Sequence, residues 1–117
     1  MRTTVLIVDD HPEFRASATA LLEAEGFAVI ATVANGETAI EAVASLRPEV
    51  VLLDVQLPGT DGFAVADELA QLEEPPRVVL ISSREAAAYG ARLDAAPARG
   101  FLAKRELSGA ALAALVG

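Results

Sequence analysis

Residues 50–54 read Val50-Val51-Leu52-Leu53-Asp54, which is four consecutive apolar residues followed by an acidic one. Two other runs have the same character: residues 5–8 (VLIV), which are followed by Asp9-Asp10, and residues 78–81 (VVLI), which are followed by Ser82-Ser83. Continuous apolarity rich in β-branched residues is typical of strands that are buried on both faces, as in a parallel sheet. These three runs therefore predict the central strands of such a sheet.

Helical patterns separate these runs and two weaker strand candidates, Ala28–Val33 and Gly100–Ala103. The first predicted helix begins at Pro12 and ends at Gly26. The other four predicted helices cover residues 39–46, 63–72, 85–96 and 107–116. We expect Asp10 to cap the first helix, and Gly90 to weaken the fourth by about 1 kcal/mol relative to Ala. Strict alternation of strand and helix predicts an α/β fold of one domain, residues 1–117, with a doubly wound five-stranded parallel sheet, (βα)5.

Composition excludes several classes of protein. The chain has 117 residues, 9 Lys and Arg against 17 Asp and Glu, a formal net charge of −8 and no Cys. An acidic body repels nucleic-acid phosphates, so direct DNA binding is not expected. The absence of Cys excludes disulfides and thiolate zinc sites. The longest apolar run is seven residues, 110–116, far below the ~18 needed to cross a bilayer, and we expect a cytoplasmic protein without a membrane partner.

Polar side chains follow four of the five predicted strands. Because the carboxyl ends of parallel strands meet at one rim, these side chains should converge. Three carboxylates there would repel one another and raise at least one pKa, and a divalent cation, best Mg²⁺ for oxygen ligands, would relieve the repulsion. With a lysine nearby, such a rim could accept a phosphoryl group through attack by a carboxylate. The residues concerned are Asp9, Asp10, Asp54, Ser82, Ser83 and Lys104.

Taken singly, each of these residues has a plainer interpretation. Adjacent Asp residues after a strand are usually a helix cap, a Ser pair is usually another cap, and a single Lys is usually on the surface. His11 is expected to be an exposed helix-start residue with no metal role, and Phe101 a core residue. The convergence of the set at one rim is what favours a functional site.

Four motifs of the chain together resemble those of one known protein family. The chain resembles a flavodoxin-like, CheY-like receiver domain of bacterial two-component response regulators, over essentially its whole length. The motifs are residues 5–12 (VLIVDDHP), 53–62 (LDVQLPGTDG), Ser82-Ser83 and 100–104 (GFLAK). The run Asp-Asp-His-Pro-Glu-Phe-Arg is similar to receivers that precede a LuxR-type helix-turn-helix domain.

The resemblance implies a role for each matching residue. Asp54 would be the phosphoacceptor, with Lys104 contacting the phosphoryl group. Mg²⁺ would be held by Asp10 directly, by Asp9 largely through water, by Asp54, and by the backbone carbonyl of Gln56. The backbone N–H of Ser83 would contact the phosphoryl group. Ser82 would be the switch hydroxyl and Phe101 the switch aromatic.

The resemblance also implies partners. A sensor histidine kinase or a histidine phosphotransfer protein would supply the phosphoryl group. A downstream effector or a second copy would bind through the fourth helix, fifth strand and fifth helix. In that last helix Leu107, Ala111 and Leu115 are expected to face the sheet, with Leu112 and Val116 beside them, leaving Ala110 and Ala113 outside. The sequence ends at Gly117 with the predicted last helix, so we expect a stand-alone receiver in preference to the other possibility, a receiver cut from a longer regulator.

The chain departs from the family pattern at two positions, and two other functions stay open. Pro97 stands where a Gly is commoner, and Phe101 lacks the hydroxyl of the commoner Tyr. An aspartate-nucleophile phosphatase would also end a strand in Asp, but it typically has a second Asp two residues later, where this chain has Gln56. A phosphate-independent interaction module would be free to lose one of the rim residues, and none is lost.

Overall fold

The computed structural model describes residues 2–117, and within this range one parallel sheet organises the molecule. Its spatial order is β2-β1-β3-β4-β5, which is the doubly wound arrangement predicted. The strands are β1 (Thr4–Val8), β2 (Ala28–Val33), β3 (Val50–Asp54), β4 (Arg77–Ser82) and β5 (Gly100–Ala103). The chain adds β2 on one side of β1 and the later strands on the other side, so the strand order reverses between β1 and β3. Folds of this kind bind ligands at the rim beyond the carboxyl ends of two such strands.

Two apolar layers explain the continuous apolar runs. Alternate residues of β1 and β3 point to opposite faces of the sheet, and both faces are covered. Leu6 and Leu53 pack with α2 (Gly36–Leu46) and α3 (Gly62–Ala70). On the other face, β1 and β3 pack with α1 (Pro12–Ala24) and α5 (Gly109–Val116). The buried positions 5–8 of β1 and 50–53 of β3 must therefore all be apolar.

Side-chain caps start three of the helices. Asn35, Asp61 and Ser108 accept hydrogen bonds from backbone N–H groups in the first turns of α2, α3 and α5. The expectation that Asp10 caps α1 is wrong. His11 occupies the N-cap position without a side-chain cap bond, so the Asp10 carboxylate stays at the rim.

The fourth helix differs most from its prediction. Instead of one helix over residues 85–96, the chain makes a 3₁₀ turn at Ala86–Ala88 and then a short α4 at Ala91–Ala95. Gly90 lies between them with φ 55° and ψ −131°, a backbone conformation that only glycine adopts easily. The glycine interrupts the helix and thereby sets the position of Tyr89.

Two smaller features were also not predicted. Gln56–Leu57 pairs with Thr60–Asp61 in an antiparallel hairpin after β3, and Gly59 at φ 75° makes its turn. At the last helix Leu112 and Val116, expected beside the inner face, are the buried side chains, while Leu107, Ala111 and Leu115 are half-buried, and Leu107 and Leu115 pack against the same core. The helix also begins later than predicted, at Gly109. Ala110 and Ala113 are exposed, as expected.

No helix in the described part of the chain is both long enough and apolar enough to cross a membrane.

Candidate functional site

The end of β3 places a buried carboxylate beside a lysine. Asp54 is the last residue of β3 and is 2% exposed, while Asp9, directly after β1, is 0% exposed. Lys104, directly after β5, places its Nζ 2.6 Å from Asp9 Oδ2 and 3.3 Å from Asp54 Oδ2. Its ammonium also lies 4.6 Å from the centre of the Phe14 ring, a cation–π contact that helps to hold it at the rim. The convergence expected of these three polar residues is therefore present.

The two buried carboxylates have opposite pKa shifts. Burial raises the pKa of Asp54 to about 6, and the negative charge of Asp9 adds to the rise, although the Gln56 N–H and Lys104 oppose it. Burial also acts to raise the pKa of Asp9, but hydrogen bonds from Lys104 and His11 outweigh it and leave that pKa below its ordinary value. Lys104 thus serves mainly to neutralise Asp9, and Asp54 is the carboxylate whose charge is poorly compensated.

His11 is a site residue that the sequence interpretation missed. Its Nδ1 lies 2.9 Å from Asp9 Oδ1 and 3.2 Å from Asp10 Oδ1, and its backbone N–H donates to Asp9 Oδ1 at 2.8 Å. The ring is largely exposed on its outer side, in agreement with its helix-start position. The position of His11 directly after the acidic pair that follows β1 was the signal that could have identified it, because a residue at the start of α1 lies close to that pair.

The donor set at this rim fits a divalent cation. Asp9, Asp10, His11 and Asp54 offer ligand atoms that all lie within 4.8 Å of one another. Three carboxylates are the oxygen donors that Mg²⁺ takes in proteins, and a cation would relieve the repulsion that burial intensifies at Asp54. The residues at this rim therefore fit the Mg²⁺ ion that the sequence predicts.

Gln56 and Ser83 are placed near the rim, but their expected contacts stay predictions. The Gln56 backbone N–H donates to Asp54 Oδ1 at 3.1 Å, which fixes the orientation of that carboxylate. The Gln56 carbonyl is expected to bind a cation. The backbone N–H of Ser83, an exposed residue, is expected to contact a phosphoryl group. Both groups would act only in the presence of their ligand.

Ser82 ends β4 at the rim and is joined to a second missed residue. Its fully buried Oγ lies 2.6 Å from Tyr89 Oη and accepts the backbone N–H of Arg84 at 3.0 Å. The Tyr89 ring stands between Phe63, at 5.7 Å between centroids, and Phe101, at 6.0 Å. Phe101 is half-buried. The sequence pattern gave no signal for Tyr89, because its position depends on the break at Gly90.

The structure indicates which acidic neighbour should matter more to a cation. Asp9 is already paired with Lys104 and His11, whereas the Asp10 side chain is 36% exposed and has no lysine partner. We expect Asp10→Asn to weaken Mg²⁺ binding by about tenfold or more, because it removes from beside the ion a unit charge that no lysine neutralises. Asp9→Asn should weaken it less. Titration calorimetry with Mg²⁺ measures both, and equal affinities for the two variants would contradict the ordering.

Fold and rim together define a class of protein: a doubly wound, flavodoxin-like α/β domain with a carboxylate–lysine centre at its switch point. The chain belongs to the response regulator receiver domain family, whose sequence pattern matches residues 5–116. It is thus a receiver domain of two-component response regulators, which are signalling proteins rather than classical enzymes.

Three similar proteins illustrate the relationship. The chain is 36% identical over 104 residues to the Fimbriae Z protein of Salmonella typhimurium, covering 88% of this chain and 50% of that protein. It superposes on the signal receiver domain of the response regulator NarL from Mycobacterium tuberculosis with a TM-score of 0.86 at 33% identity, over 99% and 98% of the two chains.

A two-component response regulator of the LuxR family from Aurantimonas gives a TM-score of 0.86 at 27% identity, over 98% of this chain and 86% of that one. The likeness to LuxR-type receivers is thereby confirmed. The chain spans about half the length of the curated relatives it matches first.

Proposed function

We propose that Asp54 is the residue that accepts the phosphoryl group, from a phosphohistidine of a sensor kinase or of a histidine phosphotransfer protein. A carboxylate oxygen of Asp54 attacks phosphorus, the P–N bond breaks, and the histidine nitrogen leaves and takes up a proton. The product is an aspartyl phosphate. The observation that carries this proposal is the buried Asp54 carboxylate, charged but poorly compensated, 3.3 Å from the ammonium of Lys104.

The neighbouring residues divide the remaining work. Lys104 is already within reach of Asp54 and would pair with an oxygen of the arriving phosphoryl group. Asp10, Asp9, Asp54 and the Gln56 carbonyl would hold Mg²⁺, which when bound supplies charge neutralisation for the transferring group. The Ser82 hydroxyl and the Ser83 N–H would donate to the remaining phosphoryl oxygens.

The two other functions are less well supported. A phosphatase of the aspartate-nucleophile type needs an acid two residues after the nucleophile, and the exposed amide of Gln56 cannot supply a proton in that way. A phosphate-independent module would not need Lys104 and Asp54 held together at the cost of burying a poorly compensated charge. Family membership in the receiver domains agrees with the phosphoacceptor role.

The experiment is an intact-mass measurement after incubation with a small acyl phosphate such as acetyl phosphate. We expect the mass of one phosphoryl group to be added in the presence of Mg²⁺ and lost again after long incubation or at alkaline pH, since acyl phosphates hydrolyse. With EDTA in place of Mg²⁺, no gain is expected. A chain that stays unmodified with Mg²⁺ and excess donor would contradict the proposal.

We propose that α4, β5 and α5 form the output surface and that this surface binds an effector or a second copy of the chain. We also propose that the protein is located in the cytoplasm. Ala110 and Ala113 leave the outer side of α5 exposed and without polar groups. We expect a weak dimer that phosphorylation strengthens and that Ala113→Glu abolishes by burying a charge in the contact. Sedimentation velocity tests this, and a monomer under all conditions at high concentration would leave an effector as the partner.

A further inference from the structure

The hydroxyl of Ser82 carries one proton, and the hydrogen-bond partners of its oxygen restrict where that proton can go. Within residues 2–117, Ser82 Oγ has two hydrogen-bond partners, the backbone N–H of Arg84 and the hydroxyl of Tyr89. The Arg84 N–H can only donate, so it occupies an acceptor position on Oγ. Ser82 is fully buried, so its proton must find a partner inside the protein. Tyr89 Oη, at 2.6 Å, is that acceptor.

Tyr89 can accept this proton without stranding its own. Tyr89 is half-buried whereas Ser82 is fully buried, so the phenol proton has better access to solvent than the Ser82 proton has. The opposite arrangement, with Tyr89 donating to Ser82, would leave the buried Ser82 proton without an acceptor. The cost of an unpaired buried donor therefore favours Ser82 as the donor and Tyr89 as the acceptor.

We propose that Tyr89 Oη competes with the phosphoryl group on Asp54 for the hydroxyl proton of Ser82, and that Tyr89 thereby restrains the phosphorylated state. This inference rests on the proposed function, because it requires that Ser82 donate to a phosphoryl oxygen. When the phosphoryl group arrives, the Ser82 proton turns toward it, and the Ser82–Tyr89 hydrogen bond breaks. Each state then has one hydrogen bond from Ser82, and the balance between the two acceptors decides the equilibrium.

The aromatic neighbours of Tyr89 would carry this change to the surface. The ring lies between Phe63 of α3 and Phe101 of β5, so a Tyr89 released from Ser82 can change its packing against both. Phe101 has no hydroxyl of its own and can respond only through this packing. Tyr89 thus supplies the hydroxyl that β5 lacks, from the segment directly before Gly90.

The chain provides its own optical probe. It contains one Tyr and no Trp, so its intrinsic ultraviolet emission near 300 nm comes from Tyr89. We expect the emission of the wild-type protein to change when acetyl phosphate and Mg²⁺ are added, in step with the phosphate gained by mass. In Ser82→Ala the emission should already differ from wild type before phosphorylation, and adding phosphate should produce little further change.

Tyr89→Phe tests the competition itself, because it removes the acceptor and keeps the ring. We expect half-maximal phosphorylation at an acetyl phosphate concentration about 2- to 10-fold lower than in wild type, the factor that one neutral hydrogen bond supplies. The gain should vanish in Ser82→Ala/Tyr89→Phe when compared with Ser82→Ala alone. Thr4→Val is the matched control, since it deletes a hydroxyl bonded to Glu49 at the opposite end of the sheet, and it should change neither readout.

The outcomes separate the two proposals. If wild type gains phosphate but its Tyr89 emission does not change, or if Tyr89→Phe is phosphorylated at the same concentrations as wild type, the restraint by Tyr89 is wrong and the phosphoacceptor role stands. If Tyr89→Phe has the same effect with and without Ser82, the effect does not pass through their hydrogen bond, and the proposal is again wrong. If no variant gains phosphate, the proposed function fails, and the restraint fails with it.

Discussion

Asp54→Asn is expected to abolish phosphorylation by acetyl phosphate and Mg²⁺, the largest effect that any single substitution should have on this chain. The amide keeps the shape of the carboxylate, and its oxygen can still accept the Gln56 N–H. It has no anionic oxygen to attack phosphorus, so the chemistry is lost while the rim is preserved. Intact-mass measurement over the same time course as the wild type records the loss.

Asp67→Asn is the matched control, because Asp67 is an exposed carboxylate on α3. We expect it to gain phosphate at the wild-type rate. Phosphate added to Asp54→Asn at that rate would show that another residue is the acceptor, and peptide mapping of the modified chain would then identify it.

The second large effect is on stability, and here we expect Asp54→Asn to improve a property of the protein rather than to abolish one. In the absence of divalent cations, Asp54→Asn should unfold with a free energy higher than that of wild type by about 1–3 kcal/mol at pH 7.5. A rise in pKa from 3.8 to about 6 corresponds to roughly 3 kcal/mol of penalty on the charged form, and the cost of burying the amide reduces the gain. The residue most directly suited to the chemistry thus destabilises the fold.

The sign of the pH dependence follows from the raised pKa of Asp54. Its folded-state pKa exceeds its unfolded value, so in wild type the stabilising contribution is present below pH 4 and is lost as the pH rises to about 6. The Asn variant lacks this loss. Urea unfolding at a series of pH values should therefore show two chains of similar stability near pH 4 that diverge up to about pH 6 and stay apart above it.

Asp9→Asn provides a control of opposite sign. The pKa of Asp9 is lowered in the folded chain, so its charged form stabilises the fold above the unfolded value near 3.8, and this contribution is lost as the pH falls. Its removal should destabilise the protein at pH 7.5, since Lys104 and His11 lose their partner. If Asp54→Asn were also destabilising there, the buried Asp54 charge would be compensated better than the geometry indicates.

Much of the fold could be predicted from the sequence because burial of a strand on both faces leaves a continuous apolar run. The runs at residues 5–8 and 50–53 are apolar at every position because two layers of helices cover them. Once those runs are parallel strands, the residues that end them must lie on one rim. Asp9, Asp54 and Lys104 converge there by topology alone, which is why their meeting needed no knowledge of side-chain contacts.

The elements that were predicted wrongly are those that depend on local backbone geometry. A helical pattern over residues 85–96 gave no sign that Gly90 would adopt φ 55° and divide it. The last helix was predicted from residue 107 but begins at Gly109, where Ser108 caps it. Such boundaries are set by single capping and turn residues whose energies are about 1 kcal/mol, too small to stand out in a pattern.

The sequence by itself determined the parallel strands, the rim at their carboxyl ends and the residue types available there for chemistry, because these follow from hydrophobic periodicity and chain connectivity. Only the tertiary structure decided which of the polar groups are paired. Lys104 is closer to Asp9 than to Asp54, His11 bridges the acidic pair, and Ser82 is bonded to Tyr89. These contacts join segments far apart in the chain or separated by a glycine turn, and their distances depend on how layers pack, which no local pattern encodes.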